Sequence, residues 1–168
     1  SNNPDLKAHA ELTRQAGAEG MVLLENKEKA LPLSNVKSVA LMGAASYNTL
    51  PGGRGSGDVN EAYVVSLEEG MKNAGLTIDS SLSDYYHALI VSPSYYHSAA
   101  PDFDEATMNR IASQNDVAII TIARETSEGH DEKIEGGFKL TNDEQNLIGK
   151  TAAAFHRVLG VGRGRDQP

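Results

Sequence analysis

The strongest structural constraint in this sequence is the run Val117–Ala123, which reads Val-Ala-Ile-Ile-Thr-Ile-Ala. It is rich in β-branched residues and shows no alternation of apolar and polar side chains, which is typical of a strand covered on both faces. Residues 39–42 form a second short apolar run, which is ended by Gly43. Together the two runs predict buried strands of a parallel sheet.

Segments with helical spacing alternate with these runs. Helices are predicted over residues 6–24, 64–74, 82–91, 103–114 and 141–155, and weaker strands over residues 76–78 and 158–161. This alternation predicts an α/β fold, a parallel-sheet three-layer αβα sandwich. Residues 162–168 supply no helix to cover the fourth strand. We therefore expect an incomplete sheet whose uncovered edge allows self-association.

Composition and charge exclude several classes of function. With 15 Lys and Arg against 23 Asp and Glu, the net charge is −8, so the chain lacks the surplus cations of a non-specific nucleic-acid binder. It has no cysteine, which excludes disulfides and thiolate metal sites, and its five histidines lack metal-ligand spacing. The longest apolar run is too short to cross a bilayer. Neither a cofactor nor a membrane partner is expected, and localisation stays open.

The first candidate loop, residues 51–58, reads Pro-Gly-Gly-Arg-Gly-Ser-Gly-Asp. Ligands of open α/β sheets bind beyond the carboxyl ends of the strands, and glycines let the backbone come close to them. A nucleotide loop fits poorly, because Asp58 stands where a Walker motif needs Lys, and about eight residues separate Gly43 from the loop. Two interpretations remain: a surface loop, or a ligand loop that uses Ser56 and Asp58.

The second candidate loop, residues 124–138, leaves the stronger of the two predicted strands. It contains five carboxylates and one imidazole. A solvated acidic loop is the simple explanation of that density, whereas the position directly after a buried strand favours function. A glutamate that is flanked by glycine and partly desolvated can hold its proton near neutral pH and act as a general acid.

The order and spacing of these motifs resemble glycoside hydrolase family 3, specifically the second, α/β-sandwich domain of its β-glucosidase-like members. The matching segments are residues 18–26, 30–33, 39–43, 52–59, 65–75, 116–124, 127–131 and 138–141. Coverage extends over most of residues 10–156. The resemblance implies retaining hydrolysis, with the nucleophilic Asp in a preceding (β/α) barrel domain and the acid/base Glu in a loop of the sandwich domain.

The resemblance also implies roles for individual residues. Glu128, in Ser-Glu-Gly, matches the acid/base residue, and Ser56 matches the glycine-rich-loop serine that reaches the sugar. Asp131 and Arg124 match positions that support the acid/base loop. Glu132 departs from the pattern, because the family commonly has Arg there, so local charge pairing differs.

The resulting prediction is a fragment of a retaining glycoside hydrolase that acts on β-glucosides. Residues 1–34 are expected to be a helix and connector from a missing barrel domain, and residues 35–168 a partial α/β-sandwich domain. The substrate, a β-glucoside or oligosaccharide, would be shared with the barrel, so the chain alone should be nearly inactive. A non-catalytic carbohydrate-binding α/β module is the alternative, and a nucleotide-binding domain has only the glycines in its favour.

Overall fold

The computed structural model describes residues 3–49, 60–90, 101–124, 133–135 and 137–163, with Arg163 described in its backbone alone. The predicted site residues Ser56, Glu128 and Asp131 therefore lie outside the described residues. The helices are α1 Leu6–Glu19, α2 Leu67–Asn73, α3 Ser80–Leu89, α4 Glu105–Gln114 and α5 Asn142–Ala154. The strands are β1 Ser38–Met42, β2 Thr77–Ile78, β3 Val117–Ala123 and β4 Val158–Arg163, and short 3-10 turns cover Lys27–Lys29 and Ala44–Ser46.

The chain divides into two compact units, Ser1–Pro32 and Leu33–Pro168. In the first unit, the Asp5 side chain accepts a hydrogen bond from the Ala8 amide (3.0 Å) and begins α1. Helix α1 contains no buried residue and ends at Glu19, so the prediction of a helix to residue 24 was wrong at its end. Gly20 is the C-terminal cap, and its amide donates to the carbonyl oxygen of Ala16 (2.9 Å).

The second unit contains an all-parallel sheet with the strand order β2-β1-β3-β4. Val39 pairs with Val117, and Ala118 pairs with Val158. The central strands β1 and β3 are almost completely buried over residues 39–42 and 117–120. This burial on both faces is the environment that their continuous apolar sequences predict, and the α/β fold is confirmed.

Helices α3, α4 and α5 supply further large side chains of the core. These are Leu82 and Tyr86 from α3, Met108 and Ile111 from α4, and Leu147 from α5. Burying one such aliphatic side chain contributes about 1.5–3 kcal/mol, so the sheet and its helices stabilise each other. Among the described helices, none is long and apolar enough to span a membrane.

Candidate functional site

The candidate site lies beyond the carboxyl ends of the central strands. Because β1 and β3 are adjacent and parallel, their last residues, Met42 and Ala123, lead out at the same edge of the sheet. The glycine-rich loop follows β1, and the acidic loop follows β3. The described residues cover the roots of both loops, residues 43–49 and 121–124. They also cover most of the segment that leads from the acidic loop back to α5, here called the return segment (residues 133–141).

The root of the glycine-rich loop is held tightly against β3. Gly43 has a φ of 100°, and a Cβ at this position would lie 2.2 Å from the carbonyl oxygen of Thr121. Only glycine combines this left-handed conformation with so close an approach. The fully buried Ser46 follows in the 3-10 turn, and its Oγ lies 2.5 Å from Thr121 Oγ1. The roots of the two loops are therefore joined by a side-chain hydrogen bond.

Tyr47 fixes the next step of this root. Its hydroxyl donates to the carbonyl oxygen of Leu41 (2.9 Å), and its ring stacks on Tyr86 with centroids 5.0 Å apart. The edge of His87 packs against the same ring, at a centroid distance of 5.4 Å. Burial raises the pKa of the Tyr47 hydroxyl far above its usual range, so Tyr47 remains a neutral hydrogen-bond donor.

The buried carboxylate of Glu68 in α2 binds the helix that carries His87. Its Oε1 accepts from Lys72 Nζ (2.8 Å) and Ser83 Oγ (2.5 Å), and its Oε2 lies 2.9 Å from His87 Nε2. Burial raises the pKa of Glu68, but the hydrogen bonds from these three side chains outweigh it and lower the pKa to about 2. Glu68 therefore stays ionised and links α2 to α3.

Arg124 fastens the return of the acidic loop to its root. Its Nε donates to the carbonyl oxygen of Gly137 (2.8 Å), and its Nη1 and Nη2 donate to the two carboxylate oxygens of Glu144 (2.6 and 2.7 Å). Planar bidentate pairs of this kind fix orientation as well as contributing energy. Burial raises the pKa of Glu144, and the hydrogen bonds from Arg124 and Thr141 outweigh it, so that pKa lies below its usual range.

Glu144 has a second task at the beginning of α5. The Thr141 side chain accepts from the Glu144 amide (3.2 Å), and Glu144 Oε2 accepts from the Thr141 amide (2.8 Å). Together these two hydrogen bonds form a capping box, which begins α5. The ion pair between Glu144 and Arg124 was not predicted, because residues 20 positions apart leave no local pattern in the sequence.

The described residues thus form a scaffold that presents two loops from neighbouring points. Of the predicted site residues, Arg124 is at the root of the acidic loop, and the other three are in the parts of the two loops outside the description. The described part of the chain contains no group of three His, Asp or Glu side chains that could hold a metal ion.

Comparison with known proteins identifies the family. A sequence model of the Glycosyl hydrolase family 3 C-terminal domain matches residues 21–165. The chain belongs to glycoside hydrolase family 3. This family 3 domain is 36% identical to Beta-glucosidase A of Butyrivibrio fibrisolvens, over 91% of this chain and 22% of that protein. It is 33% identical to Thermostable beta-glucosidase B of Acetivibrio thermocellus, over 69% of this chain and 15% of that protein.

Solved structures agree with this assignment. The family 3 domain superposes on beta-glucosidase 3B from Thermotoga neapolitana in complex with glycerol with a TM-score of 0.84 and 39% identity. That superposition covers 96% of this chain and 24% of the other chain. A beta-glucosidase from Paenibacillus barengoltzii gives a TM-score of 0.82 at 26% identity, over 91% of this chain and 18% of that chain. The family 3 domain thus spans a quarter or less of the proteins that it resembles.

Proposed function

We propose that this chain is the part of a retaining β-glucosidase that carries the acid/base carboxylate, Glu128, and a sugar-contacting serine, Ser56. The observation that carries the proposal is the adjacency of β1 and β3, whose exits are joined through Ser46 and Thr121 at 2.5 Å. The loops with Ser56 and Glu128 therefore start from neighbouring points on one edge. The relatives named beta-glucosidases support the substrate class.

The proposed mechanism uses one carboxylate from this chain and one from elsewhere. Glu128 protonates the departing glycosidic oxygen while an aspartate of another domain attacks the anomeric carbon and forms a covalent glycosyl-enzyme. The ionised Glu128 then takes a proton from water, and the water releases the sugar. One carboxylate cannot serve as both acid and nucleophile, so the 168-residue chain alone is expected to have no turnover. Arg124 and Asp131 would hold the loop in place.

Glu128→Gln in the complete enzyme that contains this chain tests the acid/base assignment. A glutamine cannot give up a proton, so kcat/KM for cellobiose, whose leaving group needs protonation, should fall by about 10²–10⁴-fold. For dinitrophenyl β-glucoside, whose leaving group departs without a proton, kcat/KM should stay within about 3-fold of the wild type. Steady-state kinetics on both substrates provide the measurement.

Glu132→Gln is the matched control, because it removes a neighbouring carboxylate of the same loop. It should change both substrates by less than about 3-fold if Glu128 is the acid. An equal loss on the two substrates in Glu128→Gln would contradict the assignment. If calorimetry shows that the complete protein binds sugar but kinetics show no hydrolysis, the carbohydrate-binding module is favoured instead.

A further inference from the structure

The pair of side chains that joins the two loop roots has a chemical peculiarity. Thr121 is the one polar residue within the run Val117–Ala123, and Ser46 is fully buried. A hydroxyl placed among apolar groups lowers stability unless it is hydrogen-bonded. Here the two hydroxyls satisfy each other across 75 positions of sequence, at an Oγ–Oγ distance of 2.5 Å.

The geometry around this pair leaves the two roots little freedom to shift. Gly43 already lies against the carbonyl oxygen of Thr121, so the backbones of β1 and β3 are in close contact where both strands end. A hydrogen bond is directional, whereas an apolar contact at the same place would tolerate sliding. The Ser46–Thr121 bond therefore fixes the first root relative to the second.

The pair is also close in sequence to the loops themselves. Thr121 precedes Arg124 by three residues, and Arg124 holds the return segment through Gly137 and Glu144. Ser46 precedes the glycine-rich loop, which begins at residue 51. A displacement at the roots would move the points from which both loops start, and errors of about 1 Å in the position of a reacting group can cost about 10²-fold in rate.

We propose that Ser46 and Thr121 are positioning residues that set the acid/base loop against the sugar-contacting loop. This inference rests on the proposed function, since the alignment matters for catalysis only if the two loops share one substrate. The pair touches no reacting atom; it acts through the loops that follow it. Its loss should specifically impair proton delivery to the leaving group.

The test uses three variants of the complete enzyme. Thr121→Val keeps the shape but loses the hydroxyl, Ser46→Ala removes the same bond from the other side, and Thr121→Ser keeps a hydroxyl. For the first two, kcat/KM on cellobiose should fall about 10-fold or more, while kcat/KM on dinitrophenyl β-glucoside changes less than about 3-fold. Thr121→Ser should restore the wild-type ratio of the two substrates. Because two separate variants break the bond, the test does not depend on the folding of either one.

Two further measurements separate positioning from simple destabilisation. The double variant should lose no more selectivity than either single variant, because both remove one bond. A lower melting temperature with equal losses on both substrates would overturn the proposal, as would a Thr121→Ser variant that behaves like Thr121→Val. If Glu128→Gln in the same enzyme lacks the substrate-dependent loss, the proposed function fails and this inference fails with it. If Glu128→Gln shows that loss but Thr121→Val and Ser46→Ala do not, only the positioning role is wrong.

Discussion

At the scale of single residues, Glu68 is the buried charge whose surroundings have the clearest consequence for stability. Its carboxylate accepts hydrogen bonds from Lys72, Ser83 and His87, and its pKa in the folded protein is about 2, below its ordinary value of 4.5. A carboxyl whose pKa is lowered by folding stabilises the protein above its ordinary pKa. That stabilisation is lost as the pH falls from about 4.5 toward 2.

We therefore predict that Glu68→Gln reduces the acid sensitivity of the fold. At pH 7 the variant should have a free energy of unfolding about 1–3 kcal/mol below the wild type, since its hydrogen bond with the Lys72 ammonium is weakened. The difference should shrink between pH 4.5 and pH 2. Urea titrations across this range measure it. Glu69→Gln, at an exposed position next to Glu68, is the control and should follow the wild type; a constant difference at all pH values would show that Glu68 does not carry the effect.

At the scale of elements, Thr141 and Glu144 cap α5, and Glu144 also pairs with Arg124. Substitution of Thr141 tests the cap separately from that ion pair. Thr141→Ala removes the side-chain acceptor of the Glu144 amide, and losing such a cap costs about 0.5–2 kcal/mol. Thr141→Ser keeps the oxygen and should lose little. Chemical denaturation gives both values, and an equal loss in the two variants would mean that the methyl group, not the cap, is responsible.

The elements also show which parts of the fold could be predicted from sequence. The bounds of β3 agree with the prediction because burial on both faces leaves a continuous apolar run. Helix α2 begins at Leu67, later than predicted, because the Ser66 side chain caps the Glu69 amide and stops the helix from extending back over the exposed residues 64 and 65. The side-chain cap at Ser66, and not the apolar spacing, therefore determines where α2 begins.

In the candidate site, the sequence likewise indicated some residues but not the contacts that join distant parts of the chain. The resemblance to glycoside hydrolase family 3 implied the roles of Glu128 and Ser56, because each lies within a short motif that can be matched residue by residue. The contacts Ser46–Thr121 and Arg124–Glu144 join elements that lie 75 and 20 residues apart. These contacts depend on the strand order and on the packing of α5, so no local sequence pattern could indicate them.

At the scale of the whole molecule, β4 forms an edge of the sheet. Within the described residues it pairs only with β3. The Ala118 amide donates to the carbonyl oxygen of Arg157, and donors alternate in direction along a strand, so the N–H of Gly160 points away from β3. An edge with unpaired donors and acceptors is a template for pairing with another chain.

We predict that the 168-residue chain self-associates through this edge. Gly160→Pro removes an outward donor and adds a ring where a Cβ would meet nothing within 4 Å, so the ladder to β3 should persist while pairing between copies is blocked. Gly160→Ala keeps the donor and is the matched control. Sedimentation velocity should give an average mass that rises with concentration for the wild type and Gly160→Ala but stays monomeric for Gly160→Pro. A wild-type mass independent of concentration would mean that the edge is protected, and association that persists in Gly160→Pro would assign it to another surface.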